Sequence, residues 1–161
     1  MKYLKIIVAV FFIGAFYMFY AYFLRQGHVN KIYQHIDFSE DWNCISTVVL
    51  VDDAPLSRYA QRRMWIKHSS QILEKSRLIT PECDSILFLR NKTERAYDVG
   101  DNNYWVSDFQ YCLNGVFGNK KCISKEEQLF VIQMRQSTLS DKKVGMVNRN
   151  PIYIHYIDYG G

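Results

Sequence analysis

The sequence lacks the short motifs that commonly mark a catalytic centre. It has no His-Glu-x-x-His pair, no Gly-x-Ser-x-Gly elbow, no glycine-rich phosphate loop and no dinucleotide fingerprint. Its histidines, His28, His35, His68 and His155, stand in no metal-ligand spacing. We therefore predict no catalytic site, no metal site and no cofactor, and we expect a protein that is not an enzyme.

A strong excess of charge of one sign is also missing. Lysine and arginine number 20 against 16 acidic residues, a formal net charge of +4. Lys2 and Lys5 precede a hydrophobic segment, and without them the remainder carries only +2. A dedicated nucleic-acid-binding domain usually has a marked basic excess, so we expect no nucleic-acid partner. Internal repeats and low-complexity tracts are absent too, which favours one folded domain.

Charge is entirely absent from Ile6–Leu24, a run of 19 residues. As a helix it would extend about 28 Å, close to the hydrocarbon thickness of a bilayer. A cleaved signal peptide is disfavoured because the segment ends in the bulky residues Tyr-Ala-Tyr-Phe-Leu-Arg. A buried core helix is the other alternative. We predict an uncleaved transmembrane anchor that contacts the lipid bilayer through Ile6–Leu24.

The anchor divides the chain into residues 1–25 and a folded domain over residues 26–161. Lys2 and Lys5 favour a cytoplasmic N-terminus, whereas Arg25 and Lys31 compete with them. The chain is expected to cross the membrane once, with the folded domain on the side opposite the N-terminus. Residues 25–30 are predicted to be a juxtamembrane linker.

The four cysteines suggest disulfides in an exported domain. Spacing alone leaves three pairings open. The Gly/Asn-rich stretch between Cys112 and Cys122 favours a bridge between them, which would leave Cys44 with Cys83. Four free thiols in a cytosolic domain are the alternative. Zinc is disfavoured because no Cys-x-x-Cys spacing occurs.

Hydrophobic periodicity predicts one helix among several strands. A helix is expected from Leu56 to Lys75, with Asp53 as N-cap and Pro55 in the first turn. Its inward stripe is predicted to be Tyr59, Arg62, Trp65, Ile66, Ser69, Ile72 and Leu73.

The predicted strands surround this helix in the sequence. They are Val29–His35, a central strand Cys44–Val51, Ser85–Arg90, an interrupted Arg95–Trp105, Leu129–Gln136, and a hairpin of Lys143–Arg149 with Ile152–Tyr159. The expected fold class is α+β, a transmembrane helix followed by a mainly antiparallel sheet packed with one principal helix.

Candidate binding residues fall in three places. Arg58, Arg62 and Arg63 form a basic patch on the helix that could dock a partner, although a solvated helix face is the simpler interpretation. The second place is the aromatic C-terminal strand, with Tyr153, His155 and Tyr159; at a sheet edge it could accept a partner strand, and inside the sheet it would be core.

The third place is the acidic segment that runs from Asp98 through Asp101 to Asp108. It is a turn or, less simply, a cation site. A cleft lined by these three carboxylates would favour an enzyme instead.

The order of several motifs resembles a family of small enterobacterial inner-membrane proteins of unknown function. The resemblance extends to about Gln136 and rests on the N-terminal anchor, Val49-Leu-Val-Asp-Asp-Ala-Pro55, the helix with Arg58 and Trp65, Asp98-Val-Gly-Asp101-Asn-Asn-Tyr104, Asp108-x-x-x-Cys112 and Lys121-Cys122-Ile-Ser-Lys125. The chain departs from the family in its fewer helix aromatics and its tyrosine-rich tail.

The resemblance implies a single-pass protein with a periplasmic domain and a disulfide between Cys112 and Cys122. It also implies a function without catalysis. We expect an immunity protein that binds a cognate secreted toxin, with an envelope assembly or sensing factor that binds a resident inner-membrane protein as the alternative.

Overall fold

The computed structural model describes residues 2–38, 43–76, 78, 80–98, 100–118 and 120–157. The helices are α1 (Lys2–Phe19), continued by a π-helical turn Tyr20–Leu24, and α2 (Arg58–Lys75). The strands of this described part are β1 (His28–Phe38), β2 (Asn43–Asp52), β3 (Ser85–Arg90), β4 (Glu94–Arg95), β5 (Gln110–Tyr111), β6 (Lys121–Ser124), β7 (Gln128–Gln133), β8 (Lys142–Val147) and β9 (Asn150–Tyr156).

The N-terminal helix projects from the domain. The segment Tyr3–Leu24 is long and apolar enough to cross a membrane, and only 6% of it is buried against the protein. A helix that belonged to the core would hide most of its apolar side chains, so the buried-helix alternative is wrong. At 1.5 Å per residue, 22 helical residues extend about 33 Å, which matches a bilayer core of about 30 Å.

The main sheet has the strand order β1-β2-β3-β7-β9-β8 among the described strands. Only β2 and β3 run parallel, because the α2 crossover joins them; every other neighbouring pair is antiparallel. The predicted α+β class with a mainly antiparallel sheet is confirmed. The C-terminal strand β9 lies between β7 and β8, so it is an inner strand and not an edge.

The start of α2 differs from the prediction. Asp53 is not the N-cap, and Pro55 lies before the helix. Ser57 caps it instead, because its backbone is extended and its hydroxyl accepts a hydrogen bond from the Ala60 N–H at 3.2 Å. Asp53 has a φ of 49° and belongs to the turn that follows β2.

The buried face of α2 also differs from the predicted stripe. Tyr59 and Ile66 were expected to face inward, but they are 60% and 58% exposed. Residues seven apart share one helix face, and the face of Tyr59 and Ile66 points away from the sheet. The buried helix residues are Ala60, Gln61, Met64, Trp65 and Ile72.

Each face of the main sheet has its own hydrophobic core. On the α2 side, Trp65 packs edge-on against Phe88, which stacks on Phe130 with ring centroids 4.3 Å apart. The core on the opposite side contains Val48, Leu50, Leu87, Leu89, Tyr111, Leu113 and Ile123. Because both faces are covered, β2 and β3 are apolar at successive positions instead of alternating.

The opposite core is closed by a small sheet of order β4-β6-β5. The predicted strand Arg95–Trp105 is wrong, because the chain forms only two strand residues there and then turns. The Gln110 side chain supplies hydrogen bonds to the segment 94–97 that strand pairing would otherwise provide. Its buried amide donates to Glu94 Oε1 at 2.7 Å and accepts from the Tyr97 N–H at 3.0 Å. Such a fully bonded buried amide fixes a loop as a strand would.

Two disulfides join the four cysteines. Cys44 pairs with Cys83 across 39 residues, and Cys112 pairs with Cys122 across 10 residues. Both pairings suggested by the sequence are therefore present. Their existence indicates that the domain folds in an oxidising compartment.

The final hairpin turns at Asn148 and Arg149, which both have positive φ angles, 49° and 68°. This is the backbone of a type I′ turn, whose twist suits a two-residue hairpin. The predicted strands are confirmed with altered ends, since β8 begins at Lys142 and β9 at Asn150. Tyr159 lies outside the described residues.

Candidate functional site

The end of the anchor is fixed to the beginning of α2. The Ser57 hydroxyl that caps α2 also donates a hydrogen bond to the Tyr22 carbonyl at 2.5 Å. Arg25 forms a salt bridge with Asp53 at 2.8 Å. One capping residue therefore links the last turn of the anchor to the first turn of α2.

The three residues after the anchor continue this attachment. The ammonium group of Lys67 donates to Gln26 Oε1 at 2.7 Å. Gly27 has a φ of +67°, and a Cβ at this position would lie 2.9 Å from both Met64 Sδ and Pro55 Cδ. The predicted linker over residues 25–30 is therefore wrong: these residues are held against the domain, and β1 already begins at His28.

Four basic side chains are exposed beside this junction. We call them the basic cluster: Arg58, Arg62, Arg63 and Lys67. The sequence has no acidic residue between Arg58 and Lys67, and the first one in α2 is Glu74. A cleft of about 290 Å³ separates the cluster from the anchor, and its lining includes Phe23, Arg63, Ile66 and Lys67.

Aromatic rings and neighbouring charges shape the environment of the cluster. The guanidinium of Arg58 lies 5.3 Å from the ring centroid of Tyr156, a distance typical of a cation–π contact. Burial raises the pKa of Tyr156, although the charges of Arg62 and Arg58 act in the opposite direction. Burial and the neighbouring charge of Lys67 lower the pKa of His68.

The predicted binding residues do not form one surface. Ile152 and Ile154 belong to the core on the α2 side, and side chains alternate along a strand. Tyr153 and His155 therefore face the other side of the main sheet, away from Arg62. Both are partly exposed. Their role in partner binding stays a prediction.

His155 has a partner that the sequence did not indicate. Its Nδ1 lies 2.7 Å from Asp141 Oδ1, and the Asp141 side chain is only 1% exposed. Burial acts to raise the pKa of Asp141, but bonds from Thr138, His155 and the Ser137 N–H outweigh it and lower the pKa to about 2. Asp141 thus holds the loop before β8. No local pattern signals this, because Asp141 and His155 are 14 residues apart.

The acidic segment forms a turn. Asp101–Asn103 is a short 3₁₀ helix, in which the Tyr104 N–H donates to the Asp101 carbonyl at 3.0 Å. Asp98 and Asp108 are exposed. Within the described ranges, no three His, Cys, Asp or Glu side chains converge as metal ligands would.

Two exposed aromatic side chains lie in the loops that flank the strands of the small sheet, and we call them the aromatic surface: Tyr97 and Phe109. Tyr97 and Phe109 are 63% and 66% exposed, and their rings meet edge to face with centroids 6.2 Å apart. Sequence reasoning missed this surface because it placed these residues in or near a strand. The sequence signal was four aromatic residues within the polar, turn-rich segment from Tyr97 to Phe109.

Comparison of the chain with protein-family models, with curated proteins and with solved structures finds no match. The resemblance to small enterobacterial inner-membrane proteins therefore stays an expectation.

Proposed function

We propose that this protein is a membrane-anchored immunity protein that binds and neutralises a cognate secreted toxin. In this proposal the anchor lies in the bacterial inner membrane and the domain in the periplasm. The observation that carries the proposal is the aromatic surface. It flanks the small sheet, which the disulfide between Cys112 and Cys122 stabilises. The small sheet covers one face of the main sheet, and α2, to which the anchor is attached, covers the other.

The composition of the aromatic surface is that of a protein interface. Tyrosine and phenylalanine are enriched at interface centres, where they bury a large area at little cost in side-chain entropy. The edge-to-face pair of Tyr97 and Phe109 leaves apolar ring area in water, and adjoining exposed apolar side chains are common at protein interaction sites. A binding role explains this exposure.

The surface is also rigid before any partner arrives. The disulfide between Cys112 and Cys122 closes the loop beside it, and Gln110 ties Tyr97 to Glu94 and Arg95. Preorganisation reduces the entropy that is lost on binding, which supports tight association. Neutralisation of a toxin requires such tight association.

The anchor supports neutralisation at the membrane. Tethering confines the domain to a thin layer beside the bilayer and raises its effective concentration there. A toxin that attacks the envelope must enter this layer.

The alternative is an envelope assembly or sensing factor bound to a resident inner-membrane protein. The fixed junction favours it, because Ser57 and Arg25 hold the anchor and the domain as one body, so a partner could contact both. Such a partner would use the apolar surface of the anchor as well as the domain.

A growth assay tests the proposal. Cells that express the full chain are challenged with the product of the neighbouring gene, directed to the periplasm. We expect the full chain to protect the cells. We expect Tyr97→Ser with Phe109→Ser to abolish this protection, since loss of two central interface side chains weakens binding by at least about 100-fold. A domain exported without residues 1–24 should protect less than the full chain.

The matched control replaces two other exposed apolar residues, Leu139→Ser with Met146→Ser, which lie at the other end of the domain sequence and are 100% and 56% exposed. This variant should protect like the original chain. Absence of toxicity from the neighbour, or absence of rescue, would reject the immunity function and favour a resident partner. Equal loss of protection in the two double variants would reject the aromatic surface as the binding site.

A further inference from the structure

The first turns of α2 lie across the C-terminal end of the anchor. Ser57 bonds to Tyr22, and Lys67 bonds to Gln26. Lys67 lies ten positions after Ser57, about 15 Å along the helix axis. Because both ends of this stretch reach the last turn of the anchor or its next two residues, the whole stretch lies beside the anchor exit.

The outward face of this stretch combines cations with amphipathic and apolar side chains. Arg62 and Arg63 are exposed, as are Tyr59 and Ile66, and all four lie on the outward half of the helix. The ring of Tyr59 lies 5.8 Å from the guanidinium of Arg63. This composition is typical of helices that lie in the membrane interface, where tyrosine and long basic chains bridge apolar and aqueous layers.

The basic cluster is unfavourable for the isolated helix. Cations near a helix N-terminus oppose the macrodipole, and like charges four residues apart, as at Arg63 and Lys67, repel each other. An anionic surface in contact with the cluster removes both costs.

We propose that the outward face of α2 docks on anionic phospholipid headgroups. The bonds of Ser57 and Lys67 hold the start of α2 beside the end of the anchor, and the headgroup layer extends about 5–8 Å beyond the hydrocarbon core, within reach of arginine and lysine side chains. Polybasic segments beside a membrane helix bind anionic lipids by the same attraction. Continuity with the anchor favours lipid over an acidic protein, which would have to enter between α2 and the bilayer.

Depth-dependent quenching tests the proposal with the full chain in lipid nanodiscs. Tyr59→Trp introduces an exposed fluorophore on α2, and Tyr97→Trp places the matched one on the small sheet. The nanodiscs contain phosphatidylcholine alone or with phosphatidylglycerol, each with the same share of a headgroup-nitroxide lipid. The unsubstituted chain in the same nanodiscs gives the background of the native tryptophans.

We expect the Tyr59→Trp signal to be quenched at least twofold more strongly with phosphatidylglycerol than without it, and the Tyr97→Trp signal to be unaffected. High salt, at which the screening length falls to about 3 Å, should abolish the difference. Arg62→Gln with Arg63→Gln should abolish it as well. The control Lys142→Gln with Lys143→Gln removes equal charge from β8 and should preserve it.

Two outcomes would contradict the proposal. Weak quenching of the Tyr59→Trp variant in both lipids would overturn the proposal and leave an acidic protein as the occupant of this face. Quenching that is equal in both lipids, or that survives loss of both arginines, would overturn recognition of anionic headgroups. The melting temperature of each variant is measured as well, because an unchanged melting temperature shows that the variant has kept its fold.

Discussion

Substitution of Gly27 by alanine tests whether the anchor and the domain form one packed body. Gly27 has a φ of +67°, and the added Cβ would meet Met64 and Pro55 at 2.9 Å. Left-handed backbone costs a non-glycine residue about 1–2 kcal/mol. Forcing a methyl group into a filled space costs about 1–3 kcal/mol more. We therefore expect a loss of about 2–5 kcal/mol, against a typical total of about 5–15 kcal/mol.

The assay is thermal unfolding of the full chain in detergent micelles, followed by tryptophan fluorescence. Trp65 is fully buried between α2 and the main sheet, so its emission reports loss of this core. For a domain of this size, a loss of a few kcal/mol lowers the melting temperature by on the order of 10 °C.

Gly100 supplies the matched control. Its φ is −77°, and a Cβ there would meet no atom within 4 Å. At such a position alanine restricts the unfolded chain and stabilises the fold by about 0.4–1 kcal/mol. The same substitution should therefore have opposite effects at the two sites. If Gly27→Ala were as stable as Gly100→Ala, the anchor end would not pack on α2 as described.

Two further predictions concern stability. By the entropy of loop closure, Cys112→Ala with Cys122→Ala should lower the free energy of unfolding by about 2.7 kcal/mol. Cys44→Ala with Cys83→Ala should lower it by about 3.9 kcal/mol, because that loop is longer. Urea titrations that show no loss of stability in either double variant would refute this expectation. The Asp141 carboxylate has a pKa of about 2 when folded, so its stabilisation of roughly 2–3 kcal/mol is complete above pH ~4 and is lost as the pH falls toward ~2. Asp141→Asn should flatten this pH dependence, and an unchanged profile would contradict it.

Features encoded by local patterns were predictable from the sequence. The anchor follows from an uncharged run that is long enough to cross a bilayer, and β3 was predicted at its observed bounds, Ser85–Arg90. The helix between β2 and β3 follows from a change of period. Cys112 and Cys122 flank a turn-rich loop, so their pairing was accessible as well.

Features that depend on distant contacts were not predictable. The small sheet has strands of two to four residues, too short for a periodic signal, and Gln110 holds it together through contacts 13–16 residues away. The buried face of α2 is set by which residues meet Phe88, and the helix sequence does not encode this. Ser57 and Asp53 are both good caps, and only the tertiary turn selects Ser57.

The short junction restricts where any partner can bind. Three residues separate Leu24 from the first residue of β1, and the four residue steps between them span at most about 14 Å when fully extended. Even with the bonds of Arg25 and Gln26 broken, the start of the domain would remain within about 14 Å of the anchor. In the proposed function, a partner therefore binds no further from the membrane than the width of this one domain. Because α2 is attached to the anchor, we expect a partner to bind on the opposite side of the main sheet. The aromatic surface lies on that side.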